Sequence, residues 1–147
     1  MLNNTPVEGA SEMQKLIDRE SGKSADFALQ GSAKINAGQI DVTIGLKKLK
    51  SLADLKASAR ILPLLVLNRA TTKPLAGENR GTALEERFIV MNSAPSIKAA
   101  DAAKGPVTAR IDVPKEFDPS DLRVVLLLED TETLTTLECV SLTVSSK

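Results

Sequence analysis

The chain has 147 residues, enough for one domain, with equal numbers of basic and acidic residues and an apolar fraction of 42%. It contains no histidine, tryptophan or tyrosine, three phenylalanines and one cysteine, Cys139. These counts exclude histidine-based catalysis, paired-cysteine redox or disulfide chemistry and His/Cys metal centres, and they leave almost no aromatic surface for stacking bases or sugars.

The zero charge balance provides no whole-protein field for nucleic acid or an anionic membrane, so no nucleic-acid partner is expected. No stretch reaches the roughly 18–20 apolar residues of a transmembrane helix, so no transmembrane segment is expected either. The opening Met1-Leu2-Asn3-Asn4 lacks the basic and apolar regions of a signal peptide. Two readings stay open: a cytoplasmic protein, or a fragment of an exported one whose signal lies upstream.

In chain order, Ser11-Glu12-Met13-Gln14 is a capping-box pattern, and Met13, Leu16 and Ile17 form one apolar helical stripe. The spacing predicts an amphipathic helix over 11–20, with Gly22 just beyond it as a stop. Residues 1–22 therefore read as an N-terminal segment and 23–147 as a β domain.

Period two then takes over. Phe27, Leu29, Ala33 and Ile35 alternate with smaller or polar neighbours, as do Ile40, Val42, Ile44 and Leu46 beyond Asn36-Ala37-Gly38. This predicts a hairpin with Gly38 at a positive-φ position. Leu49, Leu52 and Leu55 have the spacing of a short helical turn. Ala59–Asn68 is a continuous apolar run, a strand covered on both faces, in which Pro63 indicates an edge or a bulge. A long loop over Arg69–Leu84, a strand at Glu86–Met91 and a small-residue connector at Ala94–Gly105 follow. Further strands are predicted at Val107–Val113 and Leu122–Leu128, with turn chemistry at Phe117–Ser120. In the last strand Leu137 and Cys139 share a face before Val140, Leu142 and Val144 take it over, which predicts a β-bulge near Glu138–Val140. About seven strands separated by turns predict a mainly β fold: an antiparallel two-layer sandwich of immunoglobulin or fibronectin type, with one short N-terminal helix.

The candidate binding site is the loop Gly77, Glu78, Asn79, Arg80, Gly81 and Thr82, together with Arg87. Two glycines there bracket a carboxylate, an amide and a guanidinium. The carboxylates at Glu85/Glu86, Asp118/Asp121 and Glu129/Asp130/Glu132 read as solvated charge, since no aromatic subsite accompanies them. The last of these groups also lacks the periodicity of a calcium loop. Cys139 reads as a buried, inert thiol. No catalytic residue, metal site or cofactor is expected, and the chain reads as a non-enzyme.

Three segments carry a resemblance. Asn3-Asn4-Thr5-Pro6-Val7-Glu8-Gly9-Ala10-Ser11 before a helix resembles the close of a thioredoxin fold. Ala76-Gly77-Glu78-Asn79-Arg80-Gly81-Thr82-Ala83-Leu84 with Phe88-Ile89-Val90-Met91 is similar to a Gly-Glu-Asn signature followed by a strand. Leu122–Asp130 and the closing Leu134–Val144 resemble that domain's last strands. Together they resemble the C-terminal β-domain, plus the last thioredoxin helix, of an uncharacterised exported bacterial thioredoxin-like family. Leu127 and Glu129 stand where that family commonly has Phe and Gln, and no Cys-x-x-Cys precedes the segment, so no redox activity is implied. The resemblance implies an accessory module of a periplasmic or envelope protein, partnered by another domain of the parent chain or by a separate protein. A free-standing small-ligand or carbohydrate-binding sandwich is the alternative.

Overall fold

The computed structural model describes residues 26–50 and 54–146. The sequence-predicted N-terminal helix, the 1–22 segment and Leu52 lie outside the described residues.

The hairpin forms where the alternation placed it. Strands β1 (Phe27–Asn36) and β2 (Gln39–Lys48) pair antiparallel from Phe27 opposite Lys48 to Asn36 opposite Gln39. Ala37 and Gly38 both have positive φ, 50° and 82°, the signature of the turn whose twist matches that of the strands it joins. Strand β3 (Ala59–Thr72) is the longest, and β4 (Leu84–Ser93) folds back along it. The connector predicted at Ala94–Gly105 instead holds a short strand, β5 (Ile97–Lys98), and a helix, α1 (Ala99–Lys104). Its Ala-Ala-Asp-Ala-Ala-Lys sequence is rich in the strongest helix former, and Ala99 and Ala102 are buried. Strand β6 (Val107–Asp112) leads through a 3₁₀ turn at Pro119–Asp121 to β7 (Leu122–Asp130), and β8 (Thr135–Ser146) closes the chain. At the 3₁₀ turn the Asp118 carboxylate accepts from the Ser120 backbone N–H and hydroxyl, both at 2.8 Å.

The fold is mainly β, as the sequence predicts. Its expected two layers are arms of one hydrogen-bonded path, β4-β3-β7-β8-β1-β2-β6, with β5 on β3. An immunoglobulin-type sandwich packs two separate antiparallel sheets. Here β8 serves both arms: it pairs antiparallel with β7 through Arg123 opposite Thr143, and then parallel with β1 through Ala33 opposite Val144. The path curls so that its outer strands approach. The Asn92 side chain on β4 donates to the Asp112 carbonyl on β6 at 3.0 Å.

One core fills the curl. It takes alternate residues from every long strand except the β4 edge, with Ile40, Val42, Ile44, Ile61, Leu65, Ile111, Val124, Leu126 and Leu128 all essentially fully buried. Gly31 lies where β1 crosses the opposite arm; a β-carbon there would sit 2.6 Å from the Thr43 carbonyl oxygen and 3.0 Å from a Leu142 methyl.

Two local expectations can be placed. Pro63 does not mark a sheet edge, because β3 lies between β4 and β7, and the register of β3 against β4 shifts two residues further on, between Leu65 and Val66. The Pro63 carbonyl accepts from the Ala94 N–H at 3.1 Å, so its N–H-less nitrogen faces the gap where β4 gives way to β5. No ladder donor is needed there. The break in the last strand falls at Leu137, since Glu138 pairs with Leu128 while Thr136 pairs with Glu129. Pairing is then unbroken from Glu138 to Thr143.

Candidate functional site

The sequence-predicted loop is a tightly turned, exposed tip between β3 and β4. Three backbone bonds fold it: Gly81 N–H to the Pro74 carbonyl at 3.0 Å, Arg80 to Gly77 at 3.1 Å and Thr82 to Asn79 at 3.0 Å. Gly77 and Gly81 hold φ values of 84° and 77°, in the region that favours glycine. Glu78, Asn79, Arg80 and Thr82 are exposed, and no side-chain hydrogen bond or ion pair ties Glu78, Asn79 or Arg80 to another described residue.

Arg87 stands apart from that tip and belongs to a different group. Antiparallel pairing sets Arg69 on β3 directly opposite Arg87 on β4. Like charges facing across a ladder repel. Glu85, two residues along β4 on the same face, resolves this by binding both: Arg87 Nε and one terminal nitrogen at 2.8 and 2.7 Å on one oxygen, and Arg69 on the other. The hydrogen bond from Arg87, then the charge of Arg69, hold the Glu85 carboxyl below its ordinary range. All three side chains reach solvent, so the group offers surplus positive charge at the surface.

Beside it the edge strand shows apolar surface. Phe88 and Val90 on β4 are 65% and 57% exposed. Phe88 has φ 56°, rare for an aromatic residue, and this interrupts the edge between Arg87 and Ile89. Arg69, Glu85, Arg87, Phe88 and Val90 are thus the exposed charged and apolar groups of this strand pair. Arg69 was hidden because the sequence assigned it to a loop, whereas β3 runs on to Thr72.

The remaining chemical groups resolve into structure. Asp130 is not solvated; it continues the inward alternation of β7 and is 2% exposed. Its carboxylate accepts from Lys56 Nζ at 2.6 Å, Ser58 Oγ at 2.7 Å and the Glu132 backbone N–H at 3.1 Å. These bonds, led by Lys56 and then Ser58, hold its carboxyl far below the usual carboxylate range against the opposing effect of burial. Cys139 is exposed rather than buried. The break at Leu137 puts Val140, Leu142 and Val144 on the inward face, so Cys139 points outward across from Leu127. Partial desolvation against the sheet and then the neighbouring Glu138 carboxylate push its thiol up, which disfavours the thiolate. Among the described residues no group of three or more His, Cys, Asp or Glu side chains could hold a metal ion, and no described helix is long and apolar enough to cross a membrane.

No protein-family model and no curated protein matches this sequence. The fold is similar to the crystal structure of a domain of the outer membrane lipoprotein Omp28 from Porphyromonas gingivalis, with a TM-score of 0.53 and 14% identity over 84% of this chain and 91% of that one.

Proposed function

We propose that this chain is a non-catalytic accessory module of a larger exported bacterial protein. It works in the periplasm or envelope by contacting another domain of its parent chain or a separate protein. The observation that carries this reading is the likeness, over most of both chains, to a domain of an outer membrane lipoprotein. The thioredoxin-like character of the parent rests on the sequence resemblance alone. The contact surface is the β4 edge: the exposed Phe88 and Val90 supply apolar area beside the Arg69–Glu85–Arg87 group, and the Gly77–Thr82 tip lies at the end of the same strand pair. Arginine and aromatic residues carry a disproportionate share of binding energy at interfaces.

The test expresses the tagged full-length gene product in its host, fractionates the cells, and crosslinks the intact protein through a photoreactive residue placed at Val90. The expected result is envelope recovery and a defined crosslinked product. Arg87→Ala and Phe88→Ser should each weaken that product about tenfold, the loss of roughly 1.4 kcal/mol, with thermal stability retained. Recovery in the cytoplasm, or crosslinking indifferent to both substitutions, overturns the reading.

A further inference from the structure

The outer face of the β3–β7 pair is apolar where solvent should make it polar. Leu62 and Leu64 of β3 point away from the core, opposite Leu127 and Val125 of β7, and Leu127 in turn lies opposite Cys139 of β8. Val66 extends the patch along β3. None of these residues belongs to the core inside the curl. Yet Val66 is 3% exposed, and Leu62, Leu64, Val125 and Leu127 are half-buried. Val66 is thus buried from the outer side. A sheet apolar on both faces is one covered on both faces.

We propose that residues 11–20 of the same chain dock on this face as an amphipathic helix. Met13, Leu16 and Ile17 form its one apolar stripe, and a helix of ten residues does not persist in water without a surface to pack on. Lengths agree: Leu62 to Val66 spans about 13 Å of strand and Glu12 to Glu20 about 12 Å of helix. Charges agree as well. The segment carries three acidic residues (Glu12, Asp18, Glu20) against two basic ones (Lys15, Arg19), while the patch is rimmed by Arg60 and Arg123 against Glu129. The connection is short: five extended residues, 21–25, reach about 17 Å, and along the sheet path β1 is followed by β8 and then β7.

The chain's only cysteine sits on the rim of this patch and provides the test. Single variants Met13→Cys, Leu16→Cys and Ile17→Cys, with Lys15→Cys as the polar-face control, are oxidised mildly in the full chain and read by non-reducing electrophoresis and mass. The expected result is an intrachain disulfide with Cys139 in a monomer, at least about tenfold faster from the best apolar position than from Lys15→Cys. Equal rates, or disulfides only between chains, overturn the proposal; the latter would mean that a second copy occupies the face. Independently, replacing Met13, Leu16 and Ile17 together by Ser should speed labelling of Cys139 by a thiol reagent several-fold in the otherwise folded protein. An unchanged labelling rate overturns the proposal whatever disulfides form.

Discussion

At the scale of single residues, Asp130 shows how a charge becomes structural. Strand alternation sends Leu122, Val124, Leu126 and Leu128 inward, and Asp130 follows them to the end of the core. A buried carboxylate is costly unless it is hydrogen-bonded and paired. Lys56 and Ser58 supply that from the segment before β3, and the Thr131 hydroxyl adds a bond to the Ser58 carbonyl at 2.9 Å. The result ties the β2–β3 connection to the turn between β7 and β8. Because the folded protein holds the Asp130 carboxyl below its unfolded value, the contribution is fully present above that unfolded value, about 3.9, and is lost as pH falls toward the folded one. Asp130→Asn should therefore lower the urea midpoint at neutral pH, and the gap to wild type should narrow steadily below about pH 4. A gap that stays constant down to about pH 2 would show that the charge of Asp130 contributes nothing.

At the scale of elements, the β1–β2 hairpin contains a correctable defect. Its turn places Ala37 at φ 50° and Gly38 at φ 82°. Glycine tolerates such values, but alanine's β-carbon is strained there, whereas asparagine is the residue this turn prefers in the first position. Ala37→Asn should stabilise the protein by about 0.5–1 kcal/mol, read as a higher urea midpoint with an unchanged slope. A decrease would mean that the turn is not of this type in solution. The helix α1 makes a complementary point: six residues with no side-chain cap bond at their start hold a helix because Ala99 and Ala102 are buried. Packing, rather than intrinsic propensity, sustains so short an element.

At the scale of the whole molecule, the decisive feature is the way one sheet path folds over itself. Gly31 lies at that crossing, and its missing side chain lets β1 approach β2, β7 and β8 together. Gly31→Ala would press a methyl group against the Thr43 carbonyl oxygen, a backbone atom that cannot swing aside. The expected cost is about 1–3 kcal/mol, measured by urea denaturation. A neutral effect would show that β1 and β2 sit further apart at Gly31 than the structure has them. The β4 edge belongs to the same scale, because an open path leaves strand edges at both ends. One of them carries the exposed Phe88 and Val90 on which the proposed interaction rests.

What the sequence by itself determined is local and periodic. Alternation at Phe27–Leu46 specified the first hairpin, the apolar runs at Ala59–Asn68 and Leu122–Leu128 specified strands, and the absence of histidine ruled out histidine-based chemistry. Such signals are legible because side-chain direction follows from chain period alone. Tertiary structure decided the rest. The joining of two arms through β8, the parallel pairing of β8 with β1, the meeting of Arg69, Glu85 and Arg87, and the burial of Asp130 all depend on residues distant in sequence. The outward turn of Cys139 follows from a one-residue slip at Leu137, which reverses every later side chain. Of the predicted loop, the turn itself could be read from its glycines. Arg87 could not be placed, because only the register between β3 and β4 sets it opposite Arg69.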